Sequence, residues 1–268
     1  MYQNKTKDIA EIFVNALEAE QFTTDKTGCK TIEIIGADFI ADKPAIFGTP
    51  NQEYIDKEIV WYESESTNIN DIYGKEREAP QAWKYSANEH GQINSNYGYL
   101  IFNDRFCNQY KQVLDELLEN PDSRRASMIY QRPSIWKEYK THGKNDFICT
   151  NAVTYYIRDG FLNCVVQMRS NDVIFGYRND YAWQKYILDN LAHEIERDYV
   201  VGHVRAGDIH WQVQNLHVYE RHFDLVMPKK EKKKETKEVK IKASPPIGCL
   251  LYTSHAADER SSLDLGGR

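Results

Sequence analysis

Apolar positions recur at helical spacing near the start of the chain. Over Asp8–Gln21, residues Ile9, Ile12, Phe13 and Leu17 fall on one face, which predicts an amphipathic helix. DKTGCK (Asp25–Lys30) reads as a loop and Thr31–Ile35 as a strand. Glu53–Tyr62 predicts a second helix, and residues 63–95 are polar and irregular. Asp104–Leu118 has a helical pattern that stops at Asn120-Pro121, because the residue before proline disfavours helical backbone. Ala126–Tyr130, Phe147–Arg158 and Leu162–Met168 predict strands, the last two joined by the hairpin signal Asp159-Gly160. A helix over Tyr181–Glu196, a strand around Ile209–Val213 and a helix from about Val218 to Val226 follow. Helices and strands intermix without a regular βαβ repeat. The expected class is α+β, with a large, mostly antiparallel or mixed sheet.

The compact pattern stops near Met227, so residues 1–226 are expected to form one domain. Residues 227–248 read as a charged tail, since Lys229–Lys242 alternates Lys and Glu with almost no apolar residues. Cys249–Arg268 resembles a translated sequencing-library adapter, with small differences at His255 and Leu263, and is expected to be an artefact.

Composition narrows the class. Hydrophobic content of 41% and charged content of 28% over 268 residues describe a soluble globular chain. A net charge of −6 argues against a protein that coats nucleic acid. No apolar run approaches the roughly 18–20 residues of a membrane span, and the N-terminus lacks a signal-peptide pattern. A cytoplasmic location is expected. The five cysteines, Cys29, Cys107, Cys149, Cys164 and Cys249, show no CxxC spacing. That disfavours a zinc ribbon or redox dithiol, and no metal is expected.

The richest stretch is RSNDVIFGYRND, Arg169–Asp180, between a strand and a helix. Backbone N–H groups and polar side chains converge on ligands at such junctions. Ser123-Arg124-Arg125 stands at a strand start, where adjacent side chains diverge to opposite faces. Both arginines could serve one ligand only at a bend or a subunit boundary. Cys149 lies in the apolar run FICTNAVTYYI and is either packing or a nucleophile, the latter if a cation such as Arg169 lowers its pKa. Glu58, in EIVWYES, is either at the rim of an apolar face or a buried acid with a raised pKa. His217 and Tyr219, in LHVYERH, are weak signals that equally fit a helix cap.

In order, EIVWY, NPDSRR, the Cys149 strand, RSNDVIFG and LHVY resemble the thymidylate synthase family, from about Gln21 to Val226. DKTG, RPS and RNDYAWQKY are similar to its phage deoxycytidylate hydroxymethylase branch. The resemblance implies a family fold with a large sheet at a homodimer interface. It implies that Arg124 and Arg125 reach the partner's nucleotide phosphate, held from within the chain by Lys26, Arg169 and Ser170. It implies Cys149 as nucleophile toward C6 of the pyrimidine, Glu58 as proton-relay organiser and Tyr97 as an aid to C5 proton removal. His217 and Tyr219 would bind deoxyribose. Asp172, Phe175 and Gly176 would bind 5,10-methylenetetrahydrofolate, the expected co-substrate.

The same resemblance frames the reaction. Synthases that use dUMP place Asn at Asp180. A carboxylate can accept from the cytosine amine and share a proton with N3, which points to dCMP. Thr150 stands where synthases carry His, which suits a site arranged for water addition. The implied activity is 5-hydroxymethylation of dCMP, in host cytoplasm if the gene is viral. Rival readings are a thymidylate synthase, a dCMP methylase, or a catalytically silent nucleotide binder. Docking with other nucleotide-precursor enzymes stays open, and the family's C-terminal closing segment is not recognisable in the Lys/Glu run.

Overall fold

The computed structural model describes residues 3–24, 28–198 and 203–227. Lys26 and residues 228–268, which include nearly all of the two expected tail segments, lie outside the described residues. In chain order the elements are α1 (Thr6–Glu18), β1 (Thr23–Thr24), β2 (Lys30–Ile40), α2 (Gln52–Glu63), α3 (Gln81–Ser86), α4 (Tyr97–Phe102) and α5 (Gln109–Glu119). They continue with β3 (Ser127–Ile129), α6 (Ile135–Glu138), β4 (Thr150–Arg158), β5 (Phe161–Met168), β6 (Asn171–Asp172), α7 (Gly176–Asp198), β7 (Arg205–Tyr219) and α8 (Phe223–Val226).

The strands form one sheet in the order β1-β2-β7-β5-β4-β3, with β6 also on β7. β7 is parallel to β5 and β6, and every other pair is antiparallel, so the sheet is mixed. The β4–β5 turn is tight because Asp159 and Gly160 both take positive φ, 52° and 77°, the geometry a two-residue hairpin requires. Alternation on β5 and β7 buries Leu162, Cys164, Val166, Met168, Ile209, Trp211 and Val213 on one side. Against that side lies α7, whose Ile187, Leu188, Leu191 and Ile195 are fully buried at helical spacing. Each such side chain contributes roughly 1.5–3 kcal/mol by leaving water. The opposite sheet face keeps polar groups, with Gln167 bonded to Gln212 across the strands.

Several expectations need correction. α1 ends at Glu18, and Ile12 is exposed while Ile9 and Phe13 are buried. β2 continues past Ile35 to Ile40, because Gly36 at φ 74° lets the chain bend without leaving the ladder. Residues 63–95 are not simply solvated: Ile69, Ile72, Tyr73 and Ile93 are core residues around α3. The helix expected over Asp104–Leu118 is a short 3-10 turn followed by α5, separated by Cys107 and Asn108 at positive φ. β4 starts at Thr150, so Cys149 precedes the strand. α7 starts at Gly176, five residues before the expected Tyr181, so Asp180 stands inside the helix. The expected helix at Val218 is still strand: β7 runs to Tyr219, placing His217 and Tyr219 on it.

One unforeseen element, α4, carries Tyr97. It packs on α2 because residue 98 is glycine: a Cβ there would lie 1.8 Å from the Tyr62 carbonyl oxygen. That close approach brings Tyr97 onto Tyr62, ring centroids 5.3 Å apart and stacked.

Candidate active site

Three segments meet at the ends of β4, β5 and β6. Cys149 directly precedes β4, and Arg169 directly follows β5. The Arg169 guanidinium donates to the Ile148 carbonyl through Nε at 2.9 Å and to the Phe147 carbonyl through Nη2 at 2.5 Å. This pins Nη2 at 3.5 Å from Cys149 Sγ. Burial nevertheless outweighs the cation and pushes the Cys149 thiol up to about 11, with Asp180 and Asp146 adding to the rise. The expected activation of the thiol by Arg169 is therefore present in geometry but overridden by burial in the isolated chain.

A hydrogen-bonded line runs behind the sulfur. The buried Thr150 hydroxyl donates to the Tyr97 hydroxyl at 3.0 Å, and Tyr97 in turn bonds the Asp180 carboxylate. Asn171 Nδ2 donates to Asp180 Oδ2 at 2.8 Å. The Trp211 indole N–H donates to Asn171 Oδ1 at 3.3 Å, which fixes the direction of that amide. Desolvation pushes Asp180 up to about 8, helped by the nearby Glu58 charge and opposed by Asn171 and Tyr97. At neutral pH most of this carboxyl is protonated, so it offers one donor and one acceptor.

Glu58 is a buried acid on α2, the second of its two sequence readings. Tyr54, one turn earlier, donates a short hydrogen bond to Glu58 Oε1, and the Trp83 indole N–H donates to the same oxygen at 3.1 Å. Burial raises Glu58 to about 7 against these two bonds. Such a group exchanges a proton near neutrality.

Asp172 ties β6 to α7. Its Oδ1 accepts from the backbone N–H groups of Ile174, Phe175 and Gly176 at 3.0, 2.7 and 3.3 Å, which holds the turn that leads into α7. Its other oxygen, Oδ2, is buried with no hydrogen-bond partner. Phe175 beside it is half-exposed. A side chain at Gly176 would be tight, since a Cβ would lie 3.2 Å from Asn171 Nδ2 and 3.3 Å from Asp172 Cβ. An orphaned buried acceptor next to an exposed aromatic face suits a flat heterocycle with N–H donors. His217 bonds the Asn215 carbonyl through Nδ1 at 3.4 Å, and burial lowers its pKa, which keeps the ring neutral. Tyr219 packs edge-on to it, centroids 4.9 Å apart.

The thymidylate synthase model matches residues 7–250. The chain belongs to the thymidylate synthase family. It is 53% identical over 211 residues to the deoxycytidylate 5-hydroxymethyltransferases of Enterobacteria phages T4 and T2, covering 79% of this chain and 85% of theirs. It is 24% identical over 217 residues to a thymidylate synthase of Francisella philomiragia, covering 75% and 76%.

Of the site residues read from sequence, Cys149, Arg169, Tyr97, Glu58 and Asp180 come together, and Asp172, Gly176 and His217 line the adjoining end of the sheet. Ser170 is half-buried in the turn after Arg169. Arg124 and Arg125 are exposed, and Arg125 pairs with Glu116 at 3.0 Å instead of with any of these groups. Tyr54, Trp83, Asn171 and Trp211 were missed. The four-residue spacing of Tyr54 and Glu58 on a helix was a usable signal. Asn171 and Trp211 had none, since their contacts join distant strands.

Proposed function

We propose that the chain is a deoxycytidylate 5-hydroxymethyltransferase, converting dCMP, 5,10-methylenetetrahydrofolate and water to 5-hydroxymethyl-dCMP and tetrahydrofolate. The observation that carries the base assignment is Asp180, raised to about 8 and oriented by Asn171. Its protonated oxygen donates to cytosine N3, and its other oxygen accepts from the N4 amine. Uracil presents the opposite pattern, an N3–H donor and an O4 acceptor, and would need the proton on Oδ2, the oxygen that accepts from Asn171.

The folate, when bound, supplies the one-carbon unit. Asp172 Oδ2 and Phe175 would hold its heterocycle, with Gly176 giving the backbone close approach. Cys149 Sγ attacks C6 of the pyrimidine, making C5 nucleophilic toward that carbon. Arg169 stabilises the thiolate and, with Ser170 and Lys26, holds the 5′-phosphate. One cation thus links nucleotide seating to thiol activation. Tyr97, held by Thr150, relays the C5 proton to water, and Glu58 accepts and returns protons at its raised pKa. Loss of that proton breaks the bond from the transferred carbon to the folate nitrogen, releasing tetrahydrofolate and leaving an exocyclic methylene. Water adds to this carbon, and release of Cys149 from C6 restores the aromatic ring. His217, kept neutral, and Tyr219 bind the deoxyribose hydroxyl. In a homodimer, Arg124 and Arg125 of each chain reach the partner's phosphate, which explains why they stand away from Cys149 in their own chain. Among the described residues no helix is long and apolar enough to cross a membrane, and the proposed setting is the cytoplasm of an infected host.

Incubation with dCMP or dUMP and methylenetetrahydrofolate, followed by product mass, tests the proposal. A dCMP product that has gained carbon, hydrogen and oxygen is expected. A methylated product, or turnover of dUMP alone, would refute it.

A further inference from the structure

A concave cluster of positive charge among the described residues lies outside the residues assigned above. A cavity of about 440 Å³ opens between α4, α6 and the segment before Cys149. That volume is in the range of small-molecule sites and exceeds what a simple ion needs. Arg105, Arg132 and Lys144 line it, with Glu138 as its one acidic side chain. Glu138 is already engaged by Arg132 and, with Asp146 behind the wall, also acts on Lys144, so three cations line the cavity against one acidic side chain. Asp146, behind the wall, is committed to the backbone N–H groups of Asn94 and Ser95 and to the Ser95 hydroxyl.

Two details indicate a missing acceptor. Arg132 Nη1 is buried with no hydrogen-bond partner, a cost that a bound anion would remove. Lys144 donates to the neutral Asn94 Oδ1 at 2.9 Å, and desolvation lowers its pKa. The apolar part of the lining is aromatic. Phe106 stands edge-on to Tyr99 at 5.4 Å, with the Arg132 guanidinium 5.2 Å from its ring centre. Aromatic faces and guanidinium planes stack on heterocycles, while the remaining donors suit phosphate oxygens.

We propose that this cavity is a second nucleotide site, binding a phosphate-bearing nucleotide through Arg105, Arg132 and Lys144 with its base against Phe106 and Tyr99. It is distinct from the catalytic site. Asn94 forms the wall between them: it bonds Lys144 on the cavity side and Asp146, three residues before Cys149, on the other.

Equilibrium dialysis of the full chain with labelled ATP or dCTP, and with inorganic tripolyphosphate, tests this. Binding of at least one nucleotide is expected at submillimolar concentration. It should survive Arg169→Gln and fall by about tenfold or more in Arg132→Gln/Lys144→Gln. Tripolyphosphate should bind at least about tenfold more weakly than that nucleotide. Arg105→Gln, at an exposed position, gives the same readout if the double variant does not fold. No nucleotide binding at millimolar concentration, loss in Arg169→Gln but not in the cavity variants, or equal binding of tripolyphosphate would each overturn the proposal.

Discussion

The proposed base-reading and phosphate sides of the candidate site are built on different principles. Tyr97, Thr150, Asn171 and Asp180 are linked inside a single chain through buried partners, and Glu58 nearby is held separately by Tyr54 and Trp83. Among the described residues proposed to hold the phosphate, Arg169 is fixed by two main-chain carbonyls, while Arg124 and Arg125 stand exposed, Arg125 on Glu116. Discrimination between bases needs preorganised donors and acceptors. A dianion needs charge, which can be delivered late and from a second subunit. The contrast predicts that defects on the phosphate side can be rescued by a partner and defects on the base side cannot.

The largest effect follows from mixing two inactive variants. Cys149→Ser and Arg124→Ala/Arg125→Ala should each lower kcat by on the order of 10³-fold or more alone. Co-refolded in equal amounts, they should recover about a quarter of the parent activity, because half the dimers are mixed and each carries one intact site. No recovery on mixing would mean that the arginines serve their own chain. Mixing Cys149→Ser with Asp180→Ala should give no such rescue.

Next in size, Glu58→Gln should lower kcat by about 10²–10³-fold. In the parent, kcat/KM for dCMP should rise as Glu58 ionises near pH 7 and fall as Asp180 loses its proton near pH 8. The two groups interact, so the limbs report the pair. The Glu58→Gln profile should keep only the falling limb.

A stability effect of intermediate size has a defined sign. The folded pKa of Asp180, about 8, lies above its ordinary value of 3.8. The folded state therefore holds its proton more tightly, and the chain loses stability as pH rises from about 4 to about 8. Asp180→Asn removes that loss, so stability at pH 8 should rise relative to the parent by on the order of 1–3 kcal/mol, read as a higher Tm. Equal Tm at pH 8 would show that burial does not strain this carboxyl.

The smallest effect should come from Thr150→Val, which keeps the shape and removes the bond to Tyr97. A loss of about 1 kcal/mol, roughly fivefold in kcat with KM little changed, is expected.

What the sequence revealed follows the same divide. Hairpin, amphipathic helix and strand patterns are local, and the β4–β5 turn was legible from Asp159-Gly160 alone. β7 was not, because its fifteen residues alternate with polar groups that face away from the core, and only a short apolar part of it, around Ile209–Val213, stood out as strand. Glu58 was conspicuous as an acid among apolar residues and Asp180 as a carboxylate at a strand–helix junction, whereas Asn171 and Trp211 became meaningful only once β6 and β7 were paired. The placement of Tyr97 depended on Gly98, whose importance lies in an α2–α4 contact that no local pattern encodes.

The central claim is that Asp180 makes the site read cytosine. The direct measurement is the ratio of kcat/KM for dCMP over dUMP in the parent and in Asp180→Asn. Strong dCMP preference is expected in the parent, with a shift toward dUMP on the order of 10²–10⁴-fold in the variant. An unchanged ratio would contradict it.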